Sequence, residues 1–368
     1  MLSDGTYKAD TVKVGQVVEE KDLGSMYVWI PRYAYIINAD KSMDIKFLVG
    51  TTNKWYDPKT NKTEDLPAGY KIHPCFQNGT KTGYQNGEWK AEIRGIWVAK
   101  FEAGLPDESS APKTTAVTGM GNSYYPVFQG KKCSYNNINV SECYLLSKTL
   151  TETNNPYGFS SSTDSHLIKN SEWGAVAYLC YSDCGAVPMT NGTGSLVNNS
   201  HWYNLYTGQG PKSESDEGCY NYDASHNYST SNGVLSSTTR NVTGVYDMAG
   251  GAWERVAGYL DNGNGNLDAY GVSNDGTKYF EGGKLKSAYT SLWDKYDVSD
   301  EEKNNKVTLS DGTVETGLWD GSKTALKYQE ARYKLTKYNY NTYSLFLQHL
   351  SLEEESLKCY TTNTARKP

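Results

Sequence analysis

Two segments of the chain alternate apolar and polar positions. They run from Tyr27 to Ile30 and from Gly95 to Phe101, and each holds a tryptophan between aliphatic residues. Because successive side chains of a strand point to opposite faces, the alternation predicts two half-buried strands in one antiparallel sheet. Between them, Thr51 to Lys90 is rich in Asn, Lys, Thr and Gly, which predicts a loop excursion.

A helical pattern begins near Asn170 or Ser171. A polar capping residue there precedes Glu172, and apolar residues then recur at helical spacing. The pattern predicts a helix that packs one apolar face on the sheet. The recurring residues are Trp173, Val176, Ala177 and Cys180.

Two long polar segments lie outside these elements. Residues 1–24 are polar, with a turn signal at Ser3-Asp-Gly5, and they predict an N-terminal arm or a first hairpin. The tract from Gly185 to Ser236 is dominated by Ser, Asn, Gly and Tyr. It is too long for an ordinary connection and is typical of folds whose loops carry recognition.

Residues 237–254 combine turn chemistry with a short apolar segment. Asn241 and Gly244 are turn formers, and Val245 to Met248 predicts an extended segment with one apolar side. The following glycine pair permits a sharp reversal, which would deliver Trp253 to the interior and leave Glu254 in need of a partner. These residues build a core corner, with a direct ligand role as the alternative.

The run Gly244-Val-Tyr-Asp-Met-Ala-Gly-Gly-Ala-Trp-Glu-Arg255 resembles a signature of the formylglycine-generating-enzyme and C-type-lectin superfamily. Two positions depart from it, since Gly251 stands where the family usually has Asn and Arg255 where it often has an aromatic residue. In family enzymes the residues around that Asn help to hold a structural calcium. The resemblance therefore implies no cofactor here other than a structural calcium, which the Gly251 substitution puts in doubt.

Further blocks extend the resemblance over roughly Tyr27 to Gly258, in the order found in a bacterial and phage branch of the superfamily. The branch looks like the variable proteins of diversity-generating retroelements. The matching blocks are Tyr27–Tyr35, Ile72–Phe76, Gly95–Glu102 and His166–Leu179. The positions that we assign to the structural signature are Trp29, Trp97, Trp173, Gly244, Tyr246, Asp247, Met248, Trp253 and Glu254.

The resemblance implies a fold of the α+β class, namely a C-type-lectin-like fold of the formylglycine-generating-enzyme subtype. Its twisted antiparallel sheet would carry one or two helices and long loops. We expect an arm at residues 1–24, a core at residues 25–260, and a recognition region with an atypical tail at residues 261–368. By the same resemblance, the ligand contacts expected after Glu254 are Trp293, Tyr296, Trp319 and Asp320.

Composition favours recognition over nucleic-acid binding. The chain has 31 Tyr and a formal net charge of −6. Tyr with Ser, Gly and Asn is the residue set of antibody paratopes, although Tyr also replaces Phe in a wet, loop-rich fold. An acidic chain without a basic patch is a poor partner for phosphates. By the resemblance to the variable proteins, the expected partner is instead a protein or glycan on a target cell surface.

Membrane insertion is not expected. No apolar run approaches the roughly 18 residues of a span, and Met1 to Val18 lacks the pattern of a signal peptide. The resemblance places the protein on a phage virion or bacterial cell surface, so export would depend on something outside this chain.

The chemistry of the family enzymes is mostly missing. The oxidase needs two close cysteines downstream of the Trp-Glu motif to bind copper, and only Cys359 lies there. The five histidines lack metal-ligand spacing and are expected in loops or at the surface. Non-catalytic recognition is thus the predicted function. The alternatives are an atypical enzyme of the superfamily and a structural virion or pilus subunit.

The seven cysteines cannot all pair within one chain, so we expect them mostly reduced, with a Cys133–Cys143 loop disulfide as the alternative in an oxidising environment. Residues 261–268 resemble a calcium loop only superficially, because Asn266 replaces its essential Gly. They predict a tight turn.

The end of the chain differs from that of the relatives. They close the sheet with an aromatic-Arg-Gly-Gly segment and a Phe-Arg strand, and Ala325 to Pro368 shows neither. Another reading frame over Ser344 to Glu355 permits such a segment. We hypothesise that the tail lies downstream of a frameshift, with a genuinely different ending as the alternative.

Overall fold

The computed structural model describes residues 18–20, 23–37, 43–77, 84–86, 91–106, 125–135, 143, 146–148, 150–151, 155, 157, 159–160, 162–180, 182, 185, 206–210, 224–248, 257–261, 278, 280–281, 284–286, 294–297, 306–308 and 314–316.

Strands and helices alternate irregularly within these residues. The strands are β1 Tyr27–Pro31, β2 Tyr33–Ile37, β3 Met43–Phe47, β4 Lys54–Asp57, β5 Lys62–Asp65, β6 Lys71–Ile72, β7 Tyr84–Asn86, β8 Gly95–Ala99, β9 Gly258–Asp261, β10 Phe280–Glu281, β11 Lys284–Leu285, β12 Asp294–Asp297, β13 Lys306–Thr308 and β14 Val314–Thr316. The α-helix α1 spans Asn170–Leu179, and 3-10 helices lie at Pro74–Phe76, Ala224–His226 and Gly233–Ser236.

Strands β1 and β8 pair antiparallel, which confirms the two strands predicted from alternation. Val28 lies opposite Val98 and Ile30 opposite Ile96. Ile30 and Val98 are buried, so these aliphatic residues line the inner face of the pair. The same register places Trp29 opposite Trp97 on the other face.

The prediction of a loop over residues 51–90 is wrong. Strands β4 and β5 form an antiparallel hairpin, and β6 adds to β2, which also pairs with β3. The hairpin closes where Asn61 adopts a left-handed φ of 57°, a conformation that Asn tolerates better than most residues. Lys54 and Asp65 form an ion pair of 2.7 Å across its open end.

Helix α1 is confirmed, with two differences from the prediction. It begins at Asn170 with Lys169 as its N-cap, so neither Asn170 nor Ser171 caps it. It is also buried around its whole circumference from residue 171 to residue 178, whereas the pattern predicted one apolar face. Tyr33 of β2 fixes its position by donating a 2.8 Å hydrogen bond to the carbonyl of Ala175.

A separate three-stranded sheet joins distant parts of the chain. Its central strand β12 pairs antiparallel with β7 and parallel with β9. The β9–β12 pair departs from the purely antiparallel sheet that was expected. Antiparallel pairs otherwise dominate the described strands, and with α1 they place the protein in the α+β class.

Candidate functional site

The signature segment from Val245 to Met248 is irregular and buried, with no strand assigned, so the predicted extended segment with one apolar side is wrong. Gly244 to Met248 are all buried, and Asp247 has a left-handed φ of 65°. The carboxylate of Asp247 accepts hydrogen bonds from the backbone N–H of Gly208, at 2.9 and 3.0 Å, and of Glu102, at 3.2 Å. These bonds override the alternating pattern, because they require the side chain to turn inward. Asp247 thus fastens three chain segments together.

Aromatic packing surrounds this fastening point. Tyr246 stacks on Phe101 with ring centroids 5.1 Å apart, and Tyr228 meets both rings edge-on. The hydroxyl of Tyr246 donates to the carbonyl of Tyr228 at 2.8 Å. Gly244 fits this corner because a Cβ there would lie 2.2 Å from the Oγ of Ser237. The run from Gly244 to Met248 therefore builds core.

A cluster of four charged residues lies at the start of α1. Nε2 of His166 is 3.1 Å from each carboxylate oxygen of Glu172, and its Nδ1 is 3.4 Å from Asp164. Glu172 also accepts the backbone N–H of Lys169 at 2.8 Å and pairs with the Lys169 ammonium at 3.6 Å. The first turn of the helix and the preceding loop are held by this one carboxylate.

His166 and the carboxylates of Glu172 and Asp164 keep one another charged. Burial alone would lower the pKa of His166, but the charge of Glu172 and hydrogen bonds to both carboxylates raise it to about 9. Burial alone would raise the pKa of Glu172, but Lys169 and His166 lower it to about 2. The pKa of Asp164 is also lowered, against the effect of its burial, chiefly by His166.

This cluster has the residue types of an acid–base site but the environment of a structural one. Lys169 and Glu172 are buried, and each charge is neutralised by a neighbour. The adjoining backbone is also engaged, because the N–H of Ala257 donates to the carbonyl of Ile168 at 2.9 Å. The arrangement is suited to joining α1 to β9.

The histidine prediction holds for loop placement but not for surface exposure. His73 and His166 lie in loops and His226 in a 3-10 helix, while His73 and His226 are buried and the His166 side chain is only 11% exposed. Burial lowers the pKa of His73 to about 3, and its Nδ1 accepts the N–H of Cys75 at 3.4 Å. Sequence reasoning missed the charged cluster. A usable signal was the spacing of Asp164, His166, Lys169 and Glu172, since four ionisable residues beside an apolar helix start must pair when buried.

An exposed aromatic pair stands out from this engaged core. Trp29 is 40% exposed and Trp97 is 67% exposed, although both belong to the assigned structural signature. Their ring centroids lie 5.3 Å apart with the planes inclined at 56°. The strand register explains this exposure. The aliphatic residues on either side of each tryptophan occupy the inner face of the strands, so both tryptophans lie on the outer face.

Gly95 fixes the position of Trp29. A Cβ at Gly95 would lie 2.5 Å from Cζ2 and 2.9 Å from Cε2 of the indole, so the ring lies directly against the Gly95 backbone. On the same face, Tyr27 continues into a covered aromatic cluster with Phe128 and Phe159. On this face of the strands, Tyr27 is therefore covered by other aromatic rings, whereas the two tryptophans are exposed to solvent.

The remaining predicted site residues are not brought together by described structure. Tyr296 lies in β12, opposite Tyr84 and Leu260, and its side chain is outside the described residues. The other five are wholly outside them, namely Trp253, Glu254, Trp293, Trp319 and Asp320. Gly251, where the resemblance implied calcium, and most of residues 261–268 are also outside the described residues.

Cys75, Cys133, Cys143 and Cys180 are free thiols. Cys133 and Cys143 belong to one hydrophobic cluster with Leu105 and are not joined. Within the described ranges, no group of three or more His, Cys, Asp or Glu residues is placed to hold a metal ion.

No helix in the described part of the chain has the length and apolar character to cross a membrane. No protein-family model matches the chain, and no curated protein matches it significantly.

Proposed function

We propose that the protein is a non-catalytic recognition protein, displayed on a phage or bacterial surface, that binds a partner on a target cell. The observation that carries the proposal is the exposed pair Trp29 and Trp97 on the β1–β8 sheet. Tryptophan is among the residues most enriched at binding hot spots, because it offers a large rigid surface with little rotamer freedom to lose.

The distribution of charged groups also supports recognition. In the described residues, the acid–base groups of the helix cluster and the carboxylate of Asp247 hold the fold together in the interior. The open aromatic surface is separate from them. This division between an engaged polar interior and an exposed aromatic face is typical of a scaffold that presents a binding surface.

The finer proposal is a C-type-lectin-like scaffold of the formylglycine-generating-enzyme subtype, used as the variable protein of a diversity-generating retroelement. Its support is the ordered series of sequence blocks from Tyr27 to Gly258. The proposed diversified residues then lie after Glu254. Sequencing the locus tests this point: an adjacent reverse transcriptase and a near-repeat of the C-terminal coding region differing at adenines are expected.

Binding to intact cells tests the recognition function itself. Fluorescently labelled full-length protein should bind a subset of bacterial strains saturably, and unlabelled protein should compete. Self-association into large assemblies without cell binding would instead favour a structural virion or pilus subunit. Absence of saturable binding across the strains, in a folded and monomeric sample, would contradict recognition of cells.

A further inference from the structure

The two exposed tryptophans form a shelf with one fixed floor. Trp29 is the floor, because its indole lies against the Gly95 backbone and cannot move inward. Trp97 stands beside it, inclined at 56° and with its centroid only 5.3 Å away. We call this pair the Trp29–Trp97 shelf. The short separation makes it one composite site.

The open area of the shelf matches a small ring better than a protein. A tryptophan side chain offers about 250 Å², so exposures of 40% and 67% leave about 270 Å² open in total. A standard protein–protein interface needs about 800 Å² on each partner. The shelf supplies about a third of that area, which disfavours a second copy of this chain as the occupant.

The strand face around the shelf carries no charge. The other side chains on this face of β1 and β8 are those of Tyr27, Pro31, Gly95 and Ala99. None has an ionisable group that titrates near neutral pH, and the Tyr27 hydroxyl is buried. An anionic or cationic ligand would lose hydration here without gaining a partner from these residues. The two strands therefore offer no partner to a charged ligand, which favours a neutral one.

A pyranose ring has the required chemistry. One face presents several C–H groups, polarised by the ring and hydroxyl oxygens, and the face of an indole is the negative part of its quadrupole. The hydroxyl groups lie at the rim of the sugar and stay in water, so stacking leaves few polar groups unpaired. An extended peptide would instead bring amide groups against a face that offers only indole N–H groups as donors.

We propose that the Trp29–Trp97 shelf stacks against the C–H face of a neutral hexopyranose unit of a glycan. This inference rests on the proposed recognition function and names the class of ligand and the site. It places a contact on β1 and β8, in a part of the chain distinct from the residues expected after Glu254.

Ligand-observed saturation-transfer NMR on the full chain tests the inference. The probes are the methyl glycosides of glucose, galactose and mannose, and N-acetylglucosamine, with sialic acid as the charged comparison and a proline-rich peptide as the amide-bearing one. At least one neutral sugar should receive saturation at its ring C–H protons. Trp97→Ala should weaken its affinity about tenfold or more, equal to about 1.4 kcal/mol.

Two variants guard against misreading a folding defect. Tyr56→Ala removes an aromatic residue that is 47% exposed on the β4–β5 hairpin, and it should bind sugar like the wild type. Trp29→Phe keeps an aromatic floor and should bind better than Trp29→Ala. Only variants whose thermal midpoints match that of the wild type are compared. A loss of sugar binding then reports the loss of the shelf and not a folding defect.

Several outcomes would overturn the inference. The first is that no neutral sugar receives saturation, and the second is that the sugars receive as much saturation from Trp97→Ala as from the wild type. The third is that only the peptide binds, and the fourth is a dimer that depends on Trp97 without any sugar binding. The inference and the proposed function fail separately. If the protein binds cells but neither added sugars nor Trp97→Ala changes that binding, only the proposed sugar site is contradicted. If it binds a sugar but no cells, only the recognition of cells is contradicted.

Discussion

Replacing Asp247 with Ala should strongly destabilise the protein. The substitution removes the acceptor of the Gly208 and Glu102 N–H groups, and each unpartnered donor costs about 1–3 kcal/mol. Alanine at a φ of 65° adds about 1–2 kcal/mol of backbone strain. The expected loss is therefore about 3–8 kcal/mol, a large part of the 5–15 kcal/mol typical of a domain.

Two further substitutions separate these contributions. Asp247→Gly relieves the strain but not the lost bonds, so it should be about 1–2 kcal/mol less harmful than Asp247→Ala. Asp247→Asn keeps one carbonyl oxygen and tolerates the left-handed backbone, so it should lose about 1–3 kcal/mol for one bond. Asp65→Ala on the exposed strand β5 is the matched control and should change stability by less than about 0.5 kcal/mol.

Urea unfolding followed by far-UV circular dichroism measures the series, with the slope checked for constancy. The predicted order of stability is wild type, then Asn, then Gly, then Ala. If Asp247→Ala stays within about 0.5 kcal/mol of the wild type, the carboxylate does not fasten the three segments. If Asp247→Gly and Asp247→Ala lose the same free energy of unfolding, only the contribution of backbone strain is refuted.

Three other perturbations have expected outcomes. The pKa of His166 is raised from 6.5 to about 9 and that of Glu172 is lowered from 4.5 to about 2, so their stabilisation is complete between pH 4.5 and 6.5, fades as the pH rises through 9 and fades as it falls through 2. Urea midpoints across pH should follow this profile, and His166→Asn should lack its share of the alkaline decline; an unchanged profile contradicts the ion pairing. Gly95→Ala should place a Cβ 2.5 Å from both the Ile30 carbonyl oxygen and the Trp29 ring, so it should displace the ring, strain the β1–β8 pair and cost at least about 1–3 kcal/mol, seen as a shifted tryptophan emission and a lower thermal midpoint. Tyr33→Phe should cost only about 1 kcal/mol in urea unfolding, because the helix carbonyl that it bonds at 2.8 Å also belongs to the helical hydrogen-bond pattern; a loss above about 3 kcal/mol would show that this carbonyl depends on the hydroxyl.

Local patterns predicted those elements whose own residues decide their structure. Strands β1 and β8 follow from alternation, and α1 follows from apolar residues at helical spacing. The exposure of their side chains was harder to predict, because alternation along a strand does not show which of its two faces will be buried. The exposed side of Trp29 and Trp97 became visible only with the register of the pair.

Tertiary contacts decided the features that the sequence did not show. The segment from Val245 to Met248 alternates like a strand, yet the N–H groups of Gly208 and Glu102 turn Asp247 inward. The partners of His166 are close in sequence, but their burial depends on elements packed around α1. The hairpin at β4–β5 was hidden because its polar, exposed residues resemble a loop in composition.

The pairing of β12 has a consequence for how the chain folds during synthesis. This strand at residues 294–297 bridges β7 at residues 84–86 and β9 at residues 258–261. Closing so long a loop is slow, and it cannot happen before the ribosome has released β12. Until then β7 and β9 lack their shared neighbour, so the nascent chain carries unpaired strand edges that favour aggregation or chaperone capture.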